Sequence, residues 1–197
     1  MNKLSTALIA GLAVVSMSAM AWAGKDLDAI KTRGQLVCGV MEGTCDVYTN
    51  DSTSLYATRA ANPPPPLTPD DFVILPEIIS KEPLAPAFRQ GDNQFGDIVR
   101  WIQYAMIETE EYGITSENVD EMLKSDNPSI RRILGVSPGM GKSLGVDEKW
   151  VYNIVKQVGN YGEAFDRNLG MGSPLKIERG LNKLWTQGGL QYAPPIR

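Results

Sequence analysis

From residue 91 onward, apolar residues recur at the spacing of one helix face. Phe95, Ile98, Val99, Ile102, Ala105 and Met106 repeat with a period near 3.6, and Asp97, Arg100 and Gln103 take the other side, which predicts a long amphipathic helix. Thr115 is placed to cap a second helix, with Ile114 and Val119 as its hydrophobic staple. Asn127-Pro128 opens a third that ends before Gly135. The stripe Trp150, Val151, Ile154, Val155, Val158 stops at Gly159, and Asn160 with Glu163 reads as the capping pair of the next helix. Ser173-Pro174 predicts a last helix through Leu175, Leu181, Leu184 and Trp185, followed by an extended tail docked through Tyr192.

The first ninety residues follow another rhythm. Leu36-Val37-Cys38-Gly39-Val40 and Asp46-Val47-Tyr48-Thr49 read as short strands, and the four residues between them suit an antiparallel hairpin, not a parallel crossover. Asp51-Ser52-Thr53 offers cap oxygens to a helix carrying Leu55, Tyr56 and Ala60, which must stop before Pro63-Pro64-Pro65-Pro66. The four prolines form a stiff spacer or, less readily, a motif for a partner's aromatic groove. Phe72-Val73-Ile74-Leu75 and 84–88 read as further strands, with nearby prolines favouring sheet edges. The expected class is therefore α/β, with few short strands at the start and a mostly helical C-terminal half: an α/β segment over 24–90 and a helical region over 91–197.

The segment before residue 24 reads as a leader and not as part of the fold. Lys3 gives a positive start, Leu4 to Val15 is mostly apolar, and Ala21-Trp22-Ala23 is a small-x-small signal, so cleavage after Ala23 is expected. A bilayer span needs about 20 apolar residues, and Ser5, Ser16 and Ser18 dilute this one. The net charge of −4 over 197 residues argues against a nucleic-acid partner, which would require a basic face to replace phosphate counterions. In an oxidising compartment Cys38 and Cys45 can close a small disulfide loop if their Cα atoms approach within about 7 Å. With no histidine and two cysteines, the usual zinc, haem and Ser-His-Asp constellations are not expected, and neither is a cofactor.

Several motifs invite chemistry. Gly139-Met140-Gly141-Lys142-Ser143 resembles the end of a phosphate-binding loop, but the first glycine is out of register and no strand precedes it. Glu163 and Asp166 share a helix face as caps or solvated carboxylates more readily than as an acid–base pair, and Asp120 can pair with Lys124. Glu108, Glu110 and Glu111 read as a solvated helix end, and Trp101, Trp150, Phe165 and Trp185 as core. Asp51 stands between a predicted strand and a helix, where α/β proteins place ligand contacts, and by position alone an N-cap role is favoured.

Cys45-Asp46-Val47-Tyr48-Thr49-Asn50-Asp51, the run from Phe72 to Leu84, Gly159-Asn160-Tyr161-Gly162-Glu163, Ser173-Pro174-Leu175-Lys176 and the closing Gly189 to Arg197 resemble the general L-amino-acid-binding proteins of periplasmic ABC importers. A shorter likeness covers the leader and Leu27 to Val40. The resemblance implies a two-lobed α/β receptor of the type II periplasmic-binding-protein fold. Such a receptor closes on a free L-amino acid and delivers it to an ABC permease in the inner membrane. It also implies that Asp51 receives the ligand's α-ammonium group, with Tyr48 and Thr49 lining the cleft.

Between the segments resembling Val40 and Thr44 the family carries most of its first lobe and much of its second, including the arginine that clamps the α-carboxylate. The chain is thus expected to be an internally shortened, non-enzymatic relative, impaired in binding. Its alternative is a remnant or interaction module without ligand. The family's partners for Cys38 and Cys45 also fall in the missing part, leaving these two orphaned or paired with each other.

Overall fold

The computed structural model describes residues 48–61, 65–81 and 83–196. The chain divides into two units, Met1–Asn50 and Asp51–Arg197, and every helix described belongs to the second. The predicted leader, the Leu36 to Val40 strand, the start of the 46–49 strand and both cysteines lie outside the described residues.

Helix α1 (Ser52–Ala60) begins where the cap residues predict and ends ahead of the proline run. None of its residues is buried, and the Arg59 guanidinium lies 5.3 Å above the Tyr56 ring. Between residues 65 and 91 the regular element is a 3₁₀ turn, Pro69–Asp71, closed by the Thr68 amide donating to Asp71 Oδ2 at 2.7 Å. The expected strands at Phe72–Leu75 and 84–88 do not form. An apolar run such as Phe72–Leu75 suits a strand covered on both faces, and among the described residues no neighbouring strand takes up its backbone groups. Val73 is 80% exposed as a result. Among the described residues the one strand-like pairing is an isolated parallel bridge between Leu184 and Gln191.

The long helix, α2 (Asn93–Glu111), carries the fold. Asp92 Oδ1 accepts from the Phe95 amide at 3.1 Å, satisfying one of the helix's orphan donors. The Phe88 ring sits so close over Gly96 that a Cβ there would overlap it. Phe95, expected in the apolar stripe, is half-exposed, and Trp101, Ile102 and Ala105 face the core. A turn over 115–118 then precedes α3 (Val119–Met122). In it the Thr115 amide donates to Asn118 Oδ1 at 2.8 Å and the Asn118 amide to Thr115 Oγ1 at 3.3 Å, so Thr115 caps a turn and the helix starts later than its position suggests. Ile114 and Val119 are both fully buried beside it.

Helix α4 (Pro128–Ile133) is capped by Asn127, whose Oδ1 accepts from Ser129 at 2.9 Å. It stops short of Gly135, which has φ +71° and no room for a Cβ against the Glu148 carbonyl. Helices α5 (Gly141–Leu144), α6 (Trp150–Val158) and α7 (Tyr161–Asn168) follow, the last opened by the predicted Asn160–Glu163 capping box. α2 packs on α5, α6 and α7, and α3 packs on α6. Ala105, Ile114, Val119, Ile133, Leu134, Val151 and Val155 form the centre of this core.

The helix predicted from Ser173 is absent. Positive φ at Lys176, Gly180 and Gly188 breaks the segment into two 3₁₀ turns, Gly180–Asn182 and Trp185–Gln187. Trp185 is consequently half-exposed instead of core, whereas Trp150 and Phe165 are buried as expected. The tail is buried at Ala193 and Ile196, and Tyr192, 66% exposed, packs edge-on against Trp185.

Candidate functional site

Asp51 has extended backbone (φ −60°, ψ 149°) and caps α1. Its Oδ1 accepts from the Thr53 hydroxyl at 2.7 Å and the Ser54 amide at 2.8 Å. These bonds, the Thr53 hydroxyl foremost, hold its carboxyl below the usual aspartate range, so the side chain is an anion at neutral pH. It is half-buried, with one edge toward solvent. Tyr48 and Thr49 are exposed at the end of the first unit, where Asn50 Nδ2 donates to the Tyr48 hydroxyl at 2.6 Å.

The most developed polar cluster lies at the other end of α2, where a solvated helix end was expected. Glu108 is 3% exposed, and its Oε2 accepts from the Ile196 amide at 2.9 Å. Glu110 forms a two-pronged pair with Arg179: Nη1 donates to Oε1, and Nη2 reaches Oε2 at 3.1 Å. Nη2 also donates to the Asn182 carbonyl at 2.8 Å. The guanidinium stacks 5.4 Å from the Tyr161 ring centre and 5.8 Å from that of Phe165. Burial is the main force raising the Tyr161 hydroxyl pKa. Glu111 accepts from Trp185 Nε1. Glu108, Glu111, Tyr112, Trp185 and Tyr192 line an open groove.

A sequence signal for this cluster existed. Three carboxylates crowd the last turn of α2, where the helix dipole disfavours anions and no Lys or Arg stands three or four residues on. Their partners had to come from elsewhere in the fold.

The other motifs are structural. The Gly139 and Lys142 amides each donate to a Glu148 carboxylate oxygen at 3.0 Å, so the phosphate-loop lookalike already holds an internal anion. Those two amides also lower the Glu148 pKa. Glu163 accepts from the Ser116 amide at 3.1 Å, the Ser116 hydroxyl at 2.6 Å and the Asn160 amide at 2.8 Å, tying α7 to the turn after α2. Asp120 binds Lys156 Nζ at 2.7 Å and Tyr152 Oη at 2.8 Å across helices, instead of Lys124 along its own.

An α-carboxylate clamp requires a guanidinium with a free fork. Three of the seven described arginines already donate side-chain hydrogen bonds: Arg179 to Glu110 and Asn182, Arg100 to Asp97 at 2.7 Å, and Arg167 to the Val158 carbonyl at 2.9 Å. Among the described residues no three His, Cys, Asp or Glu side chains converge as metal ligands. No described helix is long and apolar enough to cross a membrane.

Over 157 residues, 79% of its length, the chain is 57% identical to the general L-amino acid-binding periplasmic protein AapJ of Rhizobium johnstonii. It is 51% identical over 156 residues to the glutamate/glutamine/aspartate/asparagine-binding protein BztA of Rhodobacter capsulatus. Over most of its own length the chain is thus similar to periplasmic amino-acid-binding proteins of ABC transporters. No family model matches it.

A solved ABC-transporter periplasmic binding protein from Brucella ovis, with glutathione bound, superposes with a TM-score of 0.72 at 52% identity over 87% of this chain. The chain spans 45% of the length of AapJ and of BztA and 50% of the Brucella protein. Among the described residues it is mainly helical.

Proposed function

We propose that this chain is an exported solute-binding component of amino-acid import through an ABC transporter. In this reading it takes up free L-amino acid in the periplasm, after cleavage behind Ala23, and hands it to an inner-membrane permease. It carries a shortened type II fold. Asp51 receives the α-ammonium group, and Tyr48 and Thr49 lie beside the ligand.

The observation that carries the reading is the 50–57% identity to amino-acid-binding proteins over most of this chain. The ionised, hydrogen-bonded Asp51 supports it, since a fixed carboxylate is what an ammonium group needs. In this reading the arginine that clamps the α-carboxylate falls in the part of the family that the chain lacks. A ligand held on one wall keeps much of its water, and a single exposed ion pair falls far short of the roughly 8 kcal/mol that micromolar capture requires. Binding by the lone chain is therefore weak.

Calorimetric titration with a panel of L-amino acids tests this. The expected result is no saturation below millimolar ligand, with the residual heat abolished by Asp51→Asn. Heat that survives Asp51→Asn refutes the anchor. No heat for any ligand at high millimolar concentration refutes binding itself and leaves the ligandless interaction module.

A further inference from the structure

Six large apolar side chains, Phe72, Val73, Leu75, Ile78, Ile79 and Leu84, stand open to solvent along one short stretch, with Ile79 the most exposed at 81%. Residues 73–81 have neither helix nor strand, and their backbone groups make no backbone–backbone hydrogen bonds among the described residues. A bare apolar segment with unpaired N–H and C=O groups is a template for strand addition.

We infer that the segment Glu77–Lys81 pairs antiparallel with the same segment of a second copy, making a symmetric dimer centred on Ile79. Self-complementarity singles out this occupant. In an antiparallel pair centred on Ile79, Ile79 of one copy faces Ile79 of the other, and Glu77 of each copy faces Lys81 of the other. All three positions share one strand face, since side chains alternate with a period of two. Opposite charges directly across a pair favour it, and a two-fold axis makes the match twice. Pro76 and Pro83 bracket the ladder, because proline has no N–H to contribute.

Area sets the strength. Of the six, Ile78 and Ile79 lie inside the paired segment, so the buried area falls well below the ~800 Å² per partner of a standard interface. The dimer is accordingly weak and reversible. This pairing does not depend on whether the chain binds amino acids.

Sedimentation equilibrium on the full chain from about 1 to 500 μM, with circular dichroism to confirm the fold, tests the dimer and its register. The wild type is expected to show a monomer–dimer equilibrium, and Ile79→Asp to remain monomeric throughout. Glu77→Lys alone and Lys81→Glu alone each place like charges opposite one another and raise Kd about tenfold. The double variant Glu77→Lys/Lys81→Glu restores wild-type association. A wild type that stays monomeric overturns the proposal, as does association that ignores Ile79→Asp. Single reversals without effect, or a double variant as weak as the singles, overturn the pairing about Ile79.

Discussion

Replacing Glu110 by Leu would strand the Arg179 guanidinium against the rings of Tyr161 and Phe165. The two side chains are only 12% and 19% exposed. Removing one partner of a buried pair costs about 3–5 kcal/mol, because the remaining charge stays desolvated. Arg179 keeps its bond to the Asn182 carbonyl and some solvent, so the low end, about 3 kcal/mol, is expected. For a unit of this size about 3 °C of Tm accompanies each kcal/mol, giving a fall near 10 °C.

The pair itself is less valuable than its loss suggests. Arg179 Nε is buried without a hydrogen-bond partner, so desolvation is only partly offset. Changing both residues, Glu110→Leu with Arg179→Leu, should recover most of the stability, within about 1 kcal/mol of wild type. Urea denaturation of the two singles and the double completes the cycle. A Glu110→Leu cost under about 1 kcal/mol would refute the reasoning, since that is the range of a solvated surface pair.

Two further outcomes follow from the polar contacts. Glu163→Gln keeps the shape but turns one acceptor oxygen into an NH₂ donor that faces backbone N–H groups, and should cost about 2 kcal/mol in chemical denaturation, with faster amide exchange at Ser116 and Asn160. The Asp120, Tyr152 and Lys156 cluster gives a pH signature. Hydrogen bonding to Asp120 raises the Tyr152 and Lys156 pKa values above 10.0 and 10.5, so their contribution is complete below those values and is lost as pH rises through the folded ones. Asp120 is lowered from 3.8, chiefly by Lys156, and its contribution disappears as pH falls below that value. Melting curves across pH should show smaller losses at both ends in Asp120→Asn than in the wild type.

Where local rules decide, the helical half was legible in the sequence. The period of α2, the Asn127-Pro128 start of α4, the stop of α6 at Gly159 and the Asn160–Glu163 box all depend on residues within one or two turns. Elements that depend on distant partners were misread. Phe72–Leu75 has a strand's composition, but a strand exists only beside another. The segment after Ser173 has a helix's apolar spacing, yet its glycines and Lys176 take left-handed backbone to bring Arg179 onto Glu110 and Trp185 onto Glu111. Glu108 looked solvated because nothing near it in sequence reveals that Ile196 will cover it. At Asp51 the cap and the ligand anchor use the same carboxylate chemistry, so position alone could identify the cap and only kinship suggested the ligand.

In the proposed reading Asp51 is an ammonium anchor on one wall only, so capture by this chain is weak. Side-by-side equilibrium dialysis of radiolabelled L-amino acids against this chain and against AapJ measures that weakness most directly. The longer protein should retain label at micromolar ligand while this chain retains it only near millimolar. Equal retention by both would contradict the claim.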